Sequence, residues 1–93
     1  MVRLNFFTLF RLELGIKSID VEIEKEIKLS DLLYLAEKKA NKKFIHKLID
    51  SDGNLLNNAI ILVNGKNVHH LQKLETIIKD GDELALFPPG GGG

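Results

Sequence analysis

Residues 59–65 read AIILVNG, and this stretch decides the fold. Residues 59–63 form a continuous apolar run, which is typical of a buried strand. The pair Asn64-Gly65 follows at once, and it favours a type I′ turn because both central positions of that turn need a positive φ. Residues 66–68 are then expected to return as a second strand. The segment therefore predicts a β-hairpin.

The amino-terminal region predicts a second hairpin. In residues 2–14 the even positions are mostly apolar and several odd positions are polar, which is the period of a strand with one buried face. A turn is expected at Gly15. Ile19, Val21 and Ile23 then alternate with acidic residues, so a second strand is expected to run antiparallel to the first.

The middle of the chain predicts one main helix. Ser30 suits the N-cap, and Asp31 in the first turn suits the positive end of the helix dipole. Apolar residues then recur at helical spacing as far as about Ala40. Residues 44–49 fit either further helical turns or a short irregular segment, and we favour a helix with a break near Asn41.

The last third of the chain predicts short elements and one closing strand. Residues 71–77 are expected to pack as a loop or a short helical turn, and residues 84–87 as a strand. Pro88 and Pro89 end that strand because neither has an amide hydrogen to donate. The order of elements predicts an α+β roll in which one sheet packs on one main helix.

Composition excludes several classes of function. The chain has 93 residues, with 13 Lys and Arg against 13 Asp and Glu, and it has no cysteine. Zero net charge argues against a general polyanion binder, so no nucleic-acid partner is expected. A disulfide framework, a thiolate metal site and a cysteine nucleophile are excluded. The apolar runs are too short to span a membrane, and a cytoplasmic location is expected.

Glycine is unevenly distributed. Four of the eight glycines are the last four residues, and they directly follow Pro88-Pro89. Glycine lets a backbone approach other groups closely and adopt either sign of φ. Four extended residues reach roughly 13 Å. This tail could therefore enter the active site of another protein.

Four motifs together resemble the ubiquitin-like sulfur carriers, in particular the small subunit of molybdopterin synthase. They are ILVNG at 61–65, KDGDEL at 79–84, LFPP at 86–89 and the terminal Gly-Gly pair. The chain departs from that pattern at Gly90-Gly91, where the family usually carries side chains. The resemblance implies a β-grasp (ubiquitin-like) roll over residues 1–87, with a mixed sheet of four to five strands, and a flexible tail over residues 88–93.

The resemblance also implies a chemistry. A ubiquitin-activating-type adenylyltransferase would use ATP to adenylate the carboxylate of Gly93, beside Gly92. A sulfur donor enzyme would convert the adenylate to a thiocarboxylate, and the large subunit of molybdopterin synthase would use that sulfur. The chain would be no enzyme by itself and would bind no cofactor or metal of its own.

A docking surface is expected near the tail, because the tail alone cannot bind strongly. Ordering four glycines costs roughly 4–8 kcal/mol. Phe7 and Leu9 are expected on the outward face of the first strand, with Arg11 in a charged rim. Phe87 would anchor the tail. The expected partner-binding set is completed by Pro88, Pro89, Gly90 and Gly91.

Other readings remain open from the residues alone. The chain could carry sulfur for thiamine or tRNA thiolation, modify lysines as ubiquitin does, or be a plain β-grasp interaction module. Five lysines near the predicted helix end form either a solvated face or a surface for an acidic partner: Lys38, Lys39, Lys42, Lys43 and Lys47. His69-His70 and the acids at 80–83 fit loops better than a metal site.

Overall fold

A computed structural model describes residues 1–90. It contains seven strands and two α-helices in these residues. The strands are β1 (Val2–Phe6), β2 (Ser18–Val21), β3 (Ile27–Lys28), β4 (Ile60–Val63), β5 (Lys66–Asn67), β6 (Ile77–Ile78) and β7 (Glu83–Phe87). The helices are α1 (Leu9–Leu14) and α2 (Leu29–Ala40).

Five strands form one mixed sheet in the order β2-β1-β7-β4-β5. The central pair, β1 and β7, runs parallel, and each other neighbouring pair runs antiparallel. The short strands β3 and β6 form a separate two-stranded sheet. Helix α2 packs across one face of the main sheet, so the predicted mixed sheet on one main helix, the β-grasp roll, is confirmed.

The core lies between α2 and the sheet. Alternate residues of the central strands point into it, including Leu4, Leu84 and Ile61, and the helix contributes its own apolar face. Three phenylalanine rings meet edge to face at one end of this core: Phe6, Phe10 and Phe44. Within residues 1–90, the opposite face of the sheet is not covered by a helix.

The hairpin predicted from residues 59–68 is confirmed. Asn64 has φ 51° and Gly65 has φ 85°, as a type I′ turn requires. The returning strand is shorter than expected because Val68 already begins a 3-10 helix, Val68–His70. The closing strand is also confirmed, as β7.

The prediction of one strand over residues 2–14 is wrong after Phe6. Helix α1 follows instead, and its buried side chains are Phe10 and Leu14. These residues are four apart, so they fit one face of a helix as well as alternate positions of a strand. Leu12 separates the two patterns, because it is 79% exposed. The second strand, β2, is antiparallel to β1 as expected but ends at Val21.

The main helix begins earlier than its sequence indicates. Ser30 lies inside α2, and Lys28 takes the N-cap position. The reason is a tertiary contact: β3 pairs with β6, and the amide of Leu29 donates to the carbonyl of Thr76 at 2.8 Å. The predicted end of the helix near Ala40 is correct.

The helix favoured beyond Asn41 is replaced by a left-handed cap and a short turn. Asn41 has φ 55° and ends α2. The carboxylate of Glu37 accepts hydrogen bonds from the amides of Phe44 and Ile45 at 2.8 and 2.9 Å. These bonds fix the loop, and only the 3-10 helix Ile45–Lys47 follows. A third 3-10 helix, Lys73–Glu75, lies in the predicted loop over residues 71–77.

Candidate functional site: the base of the C-terminal tail

The tail leaves the fold at the end of β7. Pro88 is buried, Pro89 is half-buried and Gly90 is exposed. The predicted site residues Gly91, Gly92 and Gly93 lie outside the described residues. The body of the site is therefore the surface that surrounds residues 88–90, the last described residues before them.

Two predicted docking residues stack at this exit. The rings of Phe7 and Phe87 are nearly parallel, with an interplanar angle of 12° and centroids 4.8 Å apart. The guanidinium of Arg11 lies 5.2 Å from the centroid of the Phe7 ring. Its Nε donates to the carbonyl of Phe6 at 3.1 Å. The three side chains form a fixed column, Arg11 over Phe7 over Phe87.

Leu9 also lies at the tail exit, but on a different element from the one predicted. It lies on α1 and not on a strand face, and it is 39% exposed. Helix α1 folds back at Thr8, and this brings Leu9 to an apolar groove of about 350 Å³ beside the tail. The groove is lined by Thr8, Leu9, Asn58, Ile60, Phe87, Pro88, Pro89 and Gly90. The structure thus brings together the predicted docking residues that lie within the described part of the chain.

Pro88 explains why the chain separates here. The parallel ladder between β1 and β7 ends with the amide of Phe7 donating to the carbonyl of Leu86 at 3.1 Å. The next bond would need an amide hydrogen at position 88, which proline lacks. The carbonyl of Phe7 instead accepts from the amide of Phe10 and the hydroxyl of Thr8, at 3.2 and 2.8 Å. Strand β1 can therefore turn into α1, and the tail leaves the sheet.

The turn into α1 needs an unusual backbone. Thr8 has φ 53° and ψ −128°, a conformation that favours glycine and strains a β-branched residue. Such strain is found where surrounding packing holds a functional segment in one arrangement. Thr8 lies in the groove wall, between the stacked ring of Phe7 and the side chain of Leu9.

Strand β4 contributes a part of the surface that was not predicted from the sequence. Ile60 pairs with Phe87, and Leu62 pairs with Ala85, so all four lie on the open face of the sheet. Ile60 is 41% exposed. The apolar run 59–63 was interpreted as buried throughout. Side chains alternate between the two faces of a strand. Because Ile61 and Val63 point into the core, Ile60 and Leu62 must point out of it.

A cluster of paired charged and amide groups lies away from the groove, at the opposite end of the sheet. There the Met1 amino group pairs with Asp80, and Arg3 pairs with Asp20 at 2.8 Å. The hydrogen bond from Arg3 lowers the pKa of Asp20 below its usual range. Further bonds link Asn64 to Asp82 at 2.9 Å and the amide of Lys79 to Asp82 at 2.8 Å. We call these residues the polar end: Met1, Arg3, Asp20, Asn64, Lys79, Asp80, Asp82 and Glu83.

The described residues contain no group of three or more acidic or histidine side chains placed to hold a metal ion. His69 and His70, which were expected in a loop, lie at the end of the short 3-10 helix Val68–His70. The Nε2 atom of His69 is 3.1 Å from the carbonyl oxygen of Ala59, so its role there is a structural hydrogen bond. Within residues 1–90, neither α-helix is long and apolar enough to cross a membrane.

Comparison with known proteins points to one class. The model of the ThiS family matches residues 4–93. "Small archaeal modifier protein 3" of Haloferax volcanii is 34% identical over 92 residues, covering 99% of this chain and 98% of that protein. A protein of Archaeoglobus fulgidus named "Putative sulfur carrier protein" is 34% identical over 83 residues, covering 89% of this chain and 94% of that one.

A solved structure agrees. It is titled "Putative molybdopterin converting factor, subunit 1 from Pyrococcus furiosus", with 27% identity and a TM-score of 0.68, and the match covers 96% of this chain and 97% of that one. The fold and these relatives define the class of ubiquitin-like β-grasp carriers and modifiers. Within that class, this chain belongs to the ThiS family.

Proposed function

We propose that this protein carries sulfur on its own C-terminal carboxylate and delivers it to a pterin precursor within molybdopterin synthase. In the first step a carboxylate oxygen of Gly93 bonds to the α-phosphorus of ATP, and diphosphate leaves. In the second step hydrosulfide released by the sulfur donor attacks the carbonyl carbon, the bond from that carbon to the AMP oxygen breaks, and AMP leaves a thiocarboxylate behind. Both steps belong to partner enzymes, and the chain supplies the acceptor carboxylate. ATP-dependent loading is consistent with the expected cytoplasmic location.

The observation that carries this proposal is an apolar surface next to the glycine tail. We call it the tail base, and it consists of the Phe7–Phe87 stack and the groove beside it. A carrier must dock by its body because its tail gains little net binding energy. The Phe7–Phe87 stack and the groove beside it offer a fixed apolar centre at the point where the tail begins. Pro88 is buried and so sets the direction in which the tail leaves. Membership of the ThiS family agrees with a sulfur-carrying role.

The choice of the molybdopterin pathway rests on two supports. One is the LFPP segment at 86–89, which resembles the small subunit of molybdopterin synthase. The other is the name of the Pyrococcus furiosus structure, which is a molybdopterin converting factor subunit by its title. The same tail would serve a molybdenum or a tungsten cofactor, because the pterin is shared.

A second candidate function is the modification of lysines. The Haloferax volcanii relative is named a modifier protein. The same activated carboxyl carbon would then be attacked by a lysine amino group, with AMP leaving and an isopeptide bond forming. The two functions share the loading step and differ only in the nucleophile.

Intact-mass spectrometry tests the proposal. The chain is incubated with its cognate adenylyltransferase, ATP and a sulfur donor. We expect a mass gain equal to the exchange of one oxygen for one sulfur atom, located on the C-terminal fragment. A chain that lacks Gly93 should gain nothing, whereas Leu12→Ala, a change on the exposed side of α1, should load fully. No gain in the wild-type chain, or normal loading without Gly93, contradicts the proposal.

Reaction with the large synthase subunit and a pterin precursor then separates the two functions. A sulfur carrier should return to its original mass as the pterin gains sulfur. Recovery of the chain linked to lysines of other proteins, with no transfer to the pterin, would favour the modifier function.

A further inference from the structure

A second surface lies on the other side of the molecule from the tail base. Tyr34, Lys38, Asn41, Lys42 and Lys43 surround an open cavity of about 480 Å³ at the C-terminal end of α2. We call these five residues the Tyr34–lysine surface. Glu37 also lines the cavity.

Helical geometry places this surface away from the sheet. The buried residues of α2 are Leu29, Leu32, Leu33 and Ala36. At about 100° per residue, Tyr34 and Lys38 lie on the opposite side of the helix. The Phe7–Phe87 stack lies beyond the sheet, on its open face. A partner on one surface therefore leaves the other uncovered.

The lysines are held on a fixed platform. Asn41 ends the helix in a left-handed conformation, and the chain then turns to bury Phe44 completely. The carboxylate of Glu37 is occupied by the amides of Phe44 and Ile45, at 2.8 and 2.9 Å. These bonds fix the backbone of the loop that presents Lys42 and Lys43, so little backbone entropy is lost when a ligand binds there.

This surface carries a net positive charge, because three lysines and one carboxylate, that of Glu37, line it. Among residues 1–90, Lys38, Lys42 and Lys43 have no ion-pair partner, whereas Lys28, Lys47 and Lys79 each pair with a glutamate. Tyr34 is 60% exposed beside them. An exposed aromatic ring within a set of free ammonium groups is suited to a ligand with an apolar centre and carboxylates on either side.

We propose that the Tyr34–lysine surface docks a short acidic segment of a partner protein. Carboxylates of the segment would pair with Lys38, Lys42 and Lys43, and an apolar side chain between them would lie on Tyr34. A nucleic acid fits less well. One tyrosine gives no platform for successive bases, and the chain as a whole carries no net positive charge to hold a long polyanion. This proposal does not depend on the sulfur chemistry, because it concerns a different face.

Titration followed by NMR tests the proposal with a defined probe. The probe is the blocked peptide Asp-Glu-Leu-Glu-Asp, and its control is Asn-Gln-Leu-Gln-Asn. We expect the acidic peptide to shift amide signals near Tyr34, Lys38 and Lys42, with an affinity that falls as salt is added. The uncharged peptide should shift none of them.

Paired variants localise the effect. Lys42→Gln with Lys43→Gln should weaken the acidic peptide about threefold to tenfold, the range for losing two exposed charge pairs. Lys25→Gln with Lys66→Gln removes the same charge from other exposed sites and should change the affinity by less than twofold.

Three results would overturn the proposal. They are equal loss in both double variants, no binding of the acidic peptide, and perturbation confined to the open sheet face. A single-stranded oligouridylate that binds more tightly than the peptide with the same lysine dependence would overturn the choice of a protein ligand.

Discussion

The two ends of the central strand pair, β1 and β7, differ in whether their surface side chains find partners within the chain. At the polar end, where β1 and β7 begin, charged and amide groups bond to one another, as Asn64 does with Asp82 and Arg3 does with Asp20. At the tail base, where the same strands end, Phe7, Phe87 and Ile60 leave apolar surface open to solvent. At the polar end, the polar side chains bond to partners within the chain. The tail base leaves apolar area whose burial would favour binding of a second protein.

The difference follows from one backbone feature at each end. At the polar end the type I′ turn places Asn64 where its amide can bridge to Asp82 and to the amide of Glu83. At the tail base Pro88 removes one ladder donor and lets the two strands diverge. The diverging chains, α1 and the tail, form the walls of the groove.

The largest effect on binding is expected from placing a charge in the tail base. Phe7→Asp should weaken binding to the adenylyltransferase by roughly 30-fold or more, because a central aromatic anchor contributes about 2 kcal/mol or more. Titration calorimetry measures this binding, and circular dichroism checks that the variant is folded.

Leu12→Asp is the matched control, since Leu12 is 79% exposed on α1 and lies outside the groove. It should bind as the wild type does. Equal affinity of the wild type and folded Phe7→Asp would show that the tail base is not the docking surface.

The next effect concerns the polar end and should change stability without changing binding. Asn64→Ala removes two side-chain hydrogen bonds and places alanine at φ 51°, so the free energy of unfolding should fall by about 1–3 kcal/mol. Denaturant titration measures it.

Asn64→Gly separates the two causes because it keeps the positive φ without strain. It should be more stable than Asn64→Ala by about 1 kcal/mol. If glycine is no better than alanine, backbone strain at position 64 contributes little.

A smaller effect is expected at Thr8, where the tail base stores backbone strain. Thr8→Gly relieves the strain of the positive φ, whereas Thr8→Ala keeps the Cβ atom and loses the hydroxyl and the γ-methyl group. The glycine variant should be the more stable of the two by about 1 kcal/mol. Thermal unfolding compares them, and a more stable alanine variant would contradict strain at this position.

The smallest effect is a pH dependence from the exposed pair at the polar end. The pKa of Asp20 is lowered in the folded chain by the hydrogen bond from Arg3. Its stabilising contribution is therefore present above the unfolded pKa of about 3.9 and is lost as the pH falls through the folded value. Asp20→Asn should lower the melting temperature slightly at neutral pH, and the difference should vanish in acid.

Asp52→Asn is the control for this comparison, because Asp52 makes no ion pair among residues 1–90. It should melt with the wild type across the range. A difference in melting temperature between Asp20→Asn and the wild type that stays constant with pH would show that the Arg3–Asp20 pair is not its cause.

Local sequence signals predicted most of the fold, and tertiary contacts decided the rest. Asn64-Gly65 and Pro88-Pro89 act through their own backbones, so their hairpin and strand end are readable without the structure. The start of α2 depends on a hydrogen bond to Thr76, forty-seven residues away along the chain, and no local pattern contains it.

The candidate site could be predicted from the sequence only in part, because tertiary contacts place some of its residues. Phe7, Leu9 and Phe87 were chosen as docking residues, and they do lie together, but Leu9 lies on a helix that the alternation of residues 9–14 had concealed. Phe10 and Leu14 satisfy both periods, and only the surroundings of Leu12 distinguish them. Ile60 joined the surface through its pairing with Phe87, which depends on the register of β4 with β7.

Cross-saturation NMR between the isotope-labelled chain and its unlabelled adenylyltransferase locates the docking surface on the chain. Saturation should reach the amides of Phe7, Leu9, Ile60 and Phe87 and should not reach those of Asn64, Asp82 and Glu83. Transfer to the polar end with none at the tail base would contradict docking through the tail base.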